Sequence, residues 1–211
     1  MSVTKQKQNK LSRITPEAII GYCMQRRTTK AIVFTALFAA LTASCALISI
    51  PVPGTPIPIV LQNMMVVLCG MLLGPFLGTI STTVFILAGL LGLPVFNGGT
   101  GGFAKLMSPT GGFIIGYAIS SLVAGLILGK PRLDGKKHIV RTILAALSGF
   151  AVMYIPGVLH FMYSMEKTFH ETLVLCVIPY LPGDLIKMVI CTLISIPLRR
   201  SAAVYIFEDE T

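Results

Sequence analysis

Long apolar segments occupy most of the chain between residues 31 and 198, and they constrain its fold more than any other feature. Most are long enough to cross a hydrocarbon core of ~30 Å as a helix, which takes roughly 20 residues. They are continuously apolar rather than alternating, which favours helices over the shorter strands of a membrane barrel. Six such segments can be delimited: residues 31–50, 57–73, 76–93, 113–129, 139–165 and 172–198.

The composition excludes the other large classes of protein. The chain is 54% hydrophobic and 12% charged, whereas an average soluble domain is ~25% charged. So few polar side chains could not cover a soluble globule, and so much apolar surface excludes disorder. We therefore expect an all-α integral membrane protein with six transmembrane helices.

The basic residues lie mostly between these segments and are distributed unevenly. If the N-terminus is inside and the chain crosses the membrane six times, four segments lie inside: the N-terminal tail, the turn at Gly74-Pro75, the loop at residues 130–141 and the C-terminal tail. They hold seven, none, five and two basic residues, respectively, which is fourteen of the seventeen in the chain. The positive-inside rule predicts this asymmetry, so the net charge of +9 does not require a nucleic-acid partner. We expect cytoplasmic termini, a basic N-terminal extension at residues 1–30, a membrane domain at residues 31–198 and a cytoplasmic tail at residues 199–211.

Asp184 and Lys187 are the strongest candidates for a functional site. They lie three residues apart in the last apolar segment and would share one helix face. Ionisable residues at membrane depth are costly and usually face an interior site. The pair could anchor a small ligand, or it could be a structural ion pair near the outer interface.

Gln62, Asn97 and Tyr154 are the next candidates, and each has a structural alternative. Gln62 interrupts an apolar run, and its amide could bind a ligand or bond another helix. Asn97 opens a glycine-rich loop at residues 94–112, where it could bind a ligand or form an ordinary turn. Tyr154 could stack on a ligand or lie at the membrane interface.

Motifs for catalysis, metal binding and ATP binding are missing from the sequence. The three histidines are scattered without HExxH spacing, and neither GxSxG nor a P-loop occurs. We therefore expect no enzyme activity, no cofactor and no ATP site on this chain. The spacing of Ala36 and Ala40 lets a helix approach closely and suggests a site for a partner protein.

Five motifs, in this order, resemble the BioY family, the biotin-binding S components of energy-coupling-factor (ECF) transporters. The resemblance extends over about residues 31–198. It rests on the residues that follow: Pro56-Ile-Pro-Ile-Val-Leu-Gln62, Gly70-x-x-x-Gly74-Pro75, Gly92-Leu-Pro-Val-Phe-Asn97-Gly-Gly-x-Gly-Gly102, Pro109-Thr-Gly-Gly-Phe113 and Pro182-Gly-Asp184-x-x-Lys187.

This resemblance implies a six-helix S-component fold in the bacterial cell membrane, with biotin as the transported ligand. It also implies a transmembrane coupling subunit and two cytoplasmic ATPases as partners, so that ATP is used only by partner subunits. The family's binding residues match Asn97, Asp184 and Lys187 here, with Gln62 as a further match. The motif that contacts the coupling subunit matches Ala36 and Ala40.

The chemistry of biotin is compatible with these residues. Its urea ring carries two N–H donors and a carbonyl acceptor, which Asn97 and Asp184 can complement. Its carboxylate would form an ion pair with Lys187. Three alternatives stay open: an S component for another vitamin, a membrane-embedded enzyme and a scaffold protein.

Overall fold

The computed structural model describes residues 16–52, 54–131 and 139–207, and most of this part of the chain is helical. Five helices, α1, α2, α4, α5 and α7, are long and apolar enough to cross a membrane, which is the architecture of a multi-pass membrane protein. The elements along the chain are α1 (Pro16–Ala46), β1 (Ser49–Ile50), β2 (Ile59–Val60), α2 (Gln62–Leu90), α3 (Ala104–Met107), α4 (Gly111–Leu128), α5 (Ile139–Met165), α6 (Phe169–Cys176) and α7 (Leu181–Phe207).

Helix α2 reverses direction at Gly74 and therefore supplies two of the predicted spans. Gly74 has a φ of +80° and precedes Pro75; glycine adopts this left-handed conformation readily, and proline cannot donate the helical hydrogen bond. A methyl group on Gly78 would lie 2.7 Å from the Cα of Gly70, although residues eight apart in a straight helix are separated by ~12 Å. The two halves run antiparallel, so the predicted turn between the second and third spans is confirmed.

Two short strands depart from the predicted all-α architecture. Ser49–Ile50 pairs antiparallel with Ile59–Val60, in a region where the sequence predicted the end of one helix and the start of the next. Pro51 and Pro58 lack an N–H and fix φ, so a helix does not continue through this connection. The first helix accordingly ends at Ala46 rather than at residue 50.

The last apolar segment is divided into two helices, in agreement with the prolines that interrupt it in the sequence. Helix α6 ends at Cys176, and α7 begins at Leu181 after a turn that contains Pro179. Pro182 lies in the first turn of α7, where a missing N–H removes no helical hydrogen bond. Asp184 lies in the same turn, where a carboxylate interacts favourably with the helix dipole. The proline-rich break therefore sets where α7 starts and where Asp184 lies.

The core lies between α2, α4 and α5, and α1 and α7 pack at its edge. Of the residues in each membrane-length stretch, 72% are buried in α2 and 61% in α4, against 17% in α1 and 28% in α7. Helices α2 and α4 can approach closely because Gly70 has no side chain. A methyl group at this position would collide with the main-chain carbonyl of Ser121. Wide apolar faces of α1 and α7 consequently remain on the outside of the bundle.

Several basic residues gather at one end of the bundle. The Arg199 guanidinium on α7 donates to the carbonyls of residues 128–130, at 3.1 to 3.4 Å, and to the carbonyl of Met71. Arg141 on α5 donates to the carbonyl of Ile127. These bonds satisfy carbonyls at the end of α4 that have no partner within the helix. A cytoplasmic location for this end stays a prediction.

The predicted segment boundaries do not coincide with helix ends. Helix α1 is continuous across residue 30, and α7 continues past residue 198 to Phe207. Residues 1–15 and 208–211 lie outside the described part of the chain. The division into residues 1–30, 31–198 and 199–211 stays a prediction.

Candidate ligand-binding site

A single cavity brings together side chains that are far apart in the sequence. Its empty space of about 560 Å³ includes a part that is open to the outside. It lies beside the starts of α2 and α7, between the connection that follows β1 and the loop that precedes α4. All five predicted ligand-binding residues line it: Gln62, Asn97, Tyr154, Asp184 and Lys187.

Asp184 and Lys187 form a buried ion pair on one face of α7. The Lys187 Nζ atom donates to Asp184 Oδ1 over 2.9 Å. The two residues are only 6% and 7% exposed, respectively. Pairing offsets the cost of burying either charge alone. The pair therefore presents a donor and an acceptor side by side with little net charge.

Tyr154 on α5 completes the surroundings of Asp184. Its hydroxyl donates to Asp184 Oδ2 over 2.5 Å. Its ring packs edge-on against Phe113 of α4, with 5.8 Å between the ring centroids. Both carboxylate oxygens are engaged, yet each can accept a further hydrogen bond. Asp184 can therefore accept from a ligand without losing Tyr154 or Lys187.

Gln62 has an unsatisfied donor in the cavity wall. It is the first residue of α2 and is 2% exposed. Its Nε2 atom has no hydrogen-bond partner within the described part of the chain. An unpaired buried donor costs about 1–3 kcal/mol. A ligand carbonyl or ring heteroatom placed beside Nε2 would remove that cost.

Asn97 is held at the cavity by the residue before it. The ring of Phe96 is buried, packs edge-on against Phe85 at 5.7 Å, and lies directly against Gly89. The chain then turns back through Gly98, with a φ of +72°, and an isolated bridge forms between Phe96 and residue 100. The glycine-rich loop is therefore anchored, and the half-buried Asn97 lines the cavity.

Further polar residues line the cavity that sequence reasoning did not identify. Tyr117 of α4 donates to Asn63 Oδ1 over 2.9 Å. The hydroxyl of Tyr180 donates to the carbonyl of Ile57 and lies 2.5 Å from Thr55 Oγ1. Asn63 directly follows Gln62 in the sequence, and this adjacency could have identified it as a further candidate. Tyr117 and Tyr180 carried no such signal, because tyrosine is common near the membrane interface.

The two alanines predicted to contact a partner lie elsewhere. Ala36 and Ala40 are exposed on α1, and neither lines the cavity. A neighbouring face of α1 packs inward through the buried Thr35, Ala39 and Thr42. Their contact with a coupling subunit stays a prediction.

Within the described residues, no group of three or more His, Cys, Asp and Glu side chains is arranged to hold a metal ion. The cavity wall instead offers hydrogen-bond donors, acceptors and apolar side chains. This arrangement suits a small organic ligand with a compact polar group.

Comparison with known proteins identifies the family of the chain. The model of the BioY family matches residues 15–204. This match extends beyond both ends of the region, about residues 31–198, over which the motifs indicated a resemblance. The chain is 36% identical over 167 residues to a probable biotin transporter BioY of Pyrococcus horikoshii, covering 79% of this chain and 94% of that protein. It is 32% identical over 172 residues to the biotin transporter BioY of Rhizobium etli, covering 79% and 91%, respectively.

A solved structure matches the fold of the chain as well. It is the crystal structure of the S-component for biotin from an ECF-type ABC transporter, with a TM-score of 0.77 and 30% sequence identity. The match covers 85% of this chain and 96% of the solved one. The fold predicted from the motifs is therefore confirmed, and the chain belongs to the BioY family.

Proposed function

We propose that this chain binds biotin in the cavity and serves as the substrate-binding S component of an ECF-type transporter. The observation that carries the proposal is the similarity, over 85% of the chain, to the solved S-component for biotin. The relatives in Pyrococcus and Rhizobium, both named as biotin transporters, support it independently.

The cavity suits the two parts of biotin. The urea ring needs two acceptors and a donor, and Asn97, Asp184 and the unpaired amide nitrogen of Gln62 offer both kinds of group. The thioether ring and the alkyl chain need an apolar wall, which Phe113 and Ile114 provide.

The chain takes part in uptake as one subunit of a larger complex. A transmembrane coupling subunit contacts α1 at the exposed Ala36 and Ala40, where small side chains allow a helix to approach. Two cytoplasmic ATPases supply the energy, and this chain needs no cofactor of its own. It lies in the cell membrane with both termini cytoplasmic, in agreement with its distribution of basic residues.

The alternatives have less support. A membrane-embedded enzyme or a scaffold would not account for relatives that are named as biotin transporters. An S component for another vitamin would retain the fold and change the ligand, so the ligand itself must be tested.

Uptake of radiolabelled biotin tests the proposed function. Cells without a biotin transporter would express this chain together with a coupling subunit and ATPases, or with those partners alone. We expect uptake above the level of the partners alone, and excess unlabelled biotin should abolish it. Uptake equal to that of the partners alone, with the chain correctly inserted, would contradict the proposal.

A further inference from the structure

We propose that the end of the bundle where α4 ends and α5 begins binds the phosphate group of an anionic phospholipid, through the guanidinium groups of Arg141 and Arg199. The inference does not depend on what the cavity binds. Asp184 in the cavity wall lies ~22 Å from Arg199 along α7, so the two sites are separate.

Two guanidinium groups lie beside the last turn of α4. Arg199 of α7 donates to the carbonyls of residues 128–130, and Arg141 of α5 donates to the carbonyl of Ile127. Arg141 Nη2 also lies 3.9 Å from the place that a methyl group on Gly129 would take. Because both cations border Gly129, they lie within about 10 Å of each other, the distance over which charges interact at 0.1 M salt.

The positive charge at this end exceeds what the helix end can balance. A helix C-terminus carries roughly half a negative charge, against two full positive charges on the guanidinium groups, and the exposed Arg200 adds a third. Among the side chains that the structure describes, the acidic ones lie elsewhere: Glu166 and Glu171 lie beyond the far end of α5, and Asp184 lies in the first turn of α7. An anion from outside the chain would relieve this repulsion.

The two arginines retain N–H groups that can bind such an anion. Bonds to carbonyls engage the Nε atom of Arg141 and both Nη atoms of Arg199. A guanidinium carries five N–H donors, so both Nη groups of Arg141 and the Nε–H of Arg199 have no partner within the described part of the chain. A phosphate group presents several oxygens and can bridge two guanidinium groups, for which the planar fork of arginine is well suited.

The surroundings favour a lipid as the source of the phosphate. Both arginines lie within the membrane-length stretches of α5 and α7. Leu126 on α4 and Leu144, one turn beyond Arg141 on α5, are 57% and 49% exposed and would contact the acyl chains. Basic pockets between transmembrane helices bind anionic headgroups. A zwitterionic headgroup would bring an ammonium group to a site with excess positive charge, so the lipid should carry a net negative charge.

Native mass spectrometry of the detergent-purified full chain tests the site with two lipids that have the same acyl chains. Phosphatidylglycerol is the anionic probe, and phosphatidylcholine is the zwitterionic one. We expect phosphatidylglycerol to bind at least about fivefold more tightly. Equal affinities for the two lipids would overturn the proposal. Inorganic phosphate should not displace the lipid at an equal concentration; displacement would show that the site takes free phosphate and would overturn the assignment to a lipid.

The variant Arg141→Gln connects the preference to the site. We expect it to weaken phosphatidylglycerol binding about fivefold and to leave phosphatidylcholine binding unchanged. Lys167→Gln is the matched control, since it removes the same charge beyond the far end of α5, where Lys167 is 40% exposed. Equal effects of the two variants on phosphatidylglycerol binding would overturn the proposal. Should Arg141→Gln fail to fold, the comparison of the two lipids on the wild-type chain decides the matter alone.

Calorimetry with biotin separates this inference from the proposed function. Arg141 lies ~20 Å from Tyr154 along α5, so Arg141→Gln should bind biotin with wild-type affinity. A loss of biotin binding in this variant, with its fold intact, would overturn the separation of the two sites. Failure of the wild-type chain to bind biotin would contradict the proposed function and leave the lipid site standing.

Discussion

The side-chain nitrogen of Lys187 lies 2.9 Å from a carboxylate oxygen of Asp184, and both residues are buried within a bundle of membrane-length helices. They lie about one helical turn apart on α7, so the same helix positions both side chains. Neither charge would be tolerated there alone. The polar wall of the cavity is therefore built around this pair.

Replacing Asp184 should weaken biotin binding strongly. A hydrogen bond to a charged group contributes about 1.5–3 kcal/mol, so we expect Asp184→Ala to lower the affinity by roughly 10- to 150-fold. Calorimetry on the purified variant measures this effect. Glu166→Gln is the control, because Glu166 is exposed and outside the cavity. Unchanged affinity in Asp184→Ala would remove Asp184 from the site.

Gln62→Met should separate binding from stability. The substitution removes a buried donor that has no partner among the described residues. The biotin-free protein should therefore unfold at the same temperature or higher, while biotin binds about 2- to 10-fold more weakly. Thermal unfolding in detergent, with and without biotin, reports both quantities. A strongly destabilised variant with wild-type affinity would mean that Gln62 is purely structural.

Tyr180→Phe should accelerate biotin release. The Tyr180 hydroxyl ties the turn before α7 to Ile57 and Thr55, in the connection that forms part of the cavity wall. Loss of these bonds should raise the dissociation rate about 2- to 10-fold, measured by chasing labelled biotin with unlabelled biotin. Tyr163→Phe is the control, since that side chain is 86% exposed. Equal dissociation rates in the two variants would argue against this role.

Gly70→Ala should destabilise the bundle. A methyl group there meets the carbonyl of Ser121 on α4, and overpacking of this kind typically lowers the free energy of unfolding by about 1–3 kcal/mol. Gly183→Ala provides the matched comparison, because nothing lies within 4 Å of a methyl group at that glycine. Equilibrium unfolding in mixed micelles should distinguish the two. Equal free energies of unfolding in the two variants would mean that α2 and α4 can move apart to accommodate the methyl group without loss of stability.

Ala36→Leu combined with Ala40→Leu should affect assembly and leave binding intact. Both alanines are exposed on α1 and outside the cavity, so calorimetry should give a wild-type affinity for biotin. Copurification with a coupling subunit should be lost, because larger side chains prevent close helix approach. Retained copurification would place the partner contact on another face.

The sequence predicted those lining residues of the cavity that interrupt an apolar background. Asp184, Lys187 and Gln62 stand out for this reason, and Gly74-Pro75 marked the turn within α2. The pairing of β1 with β2 was not predictable, because strands of two residues have no detectable period. The spacing of Asp184 and Lys187 indicated a shared face, but the choice between an ion pair and a ligand contact depends on side-chain conformations that spacing does not determine. The role of Phe96 in anchoring Asn97 likewise depends on packing between distant helices.

The most direct test of the central claim is an experimental structure of the chain with biotin bound. We expect density for the ligand between Gln62, Asn97 and Asp184, with the urea ring beside the Asp184–Lys187 pair. Biotin found outside this cavity, or a cavity wall that makes no contact with it, would contradict the account.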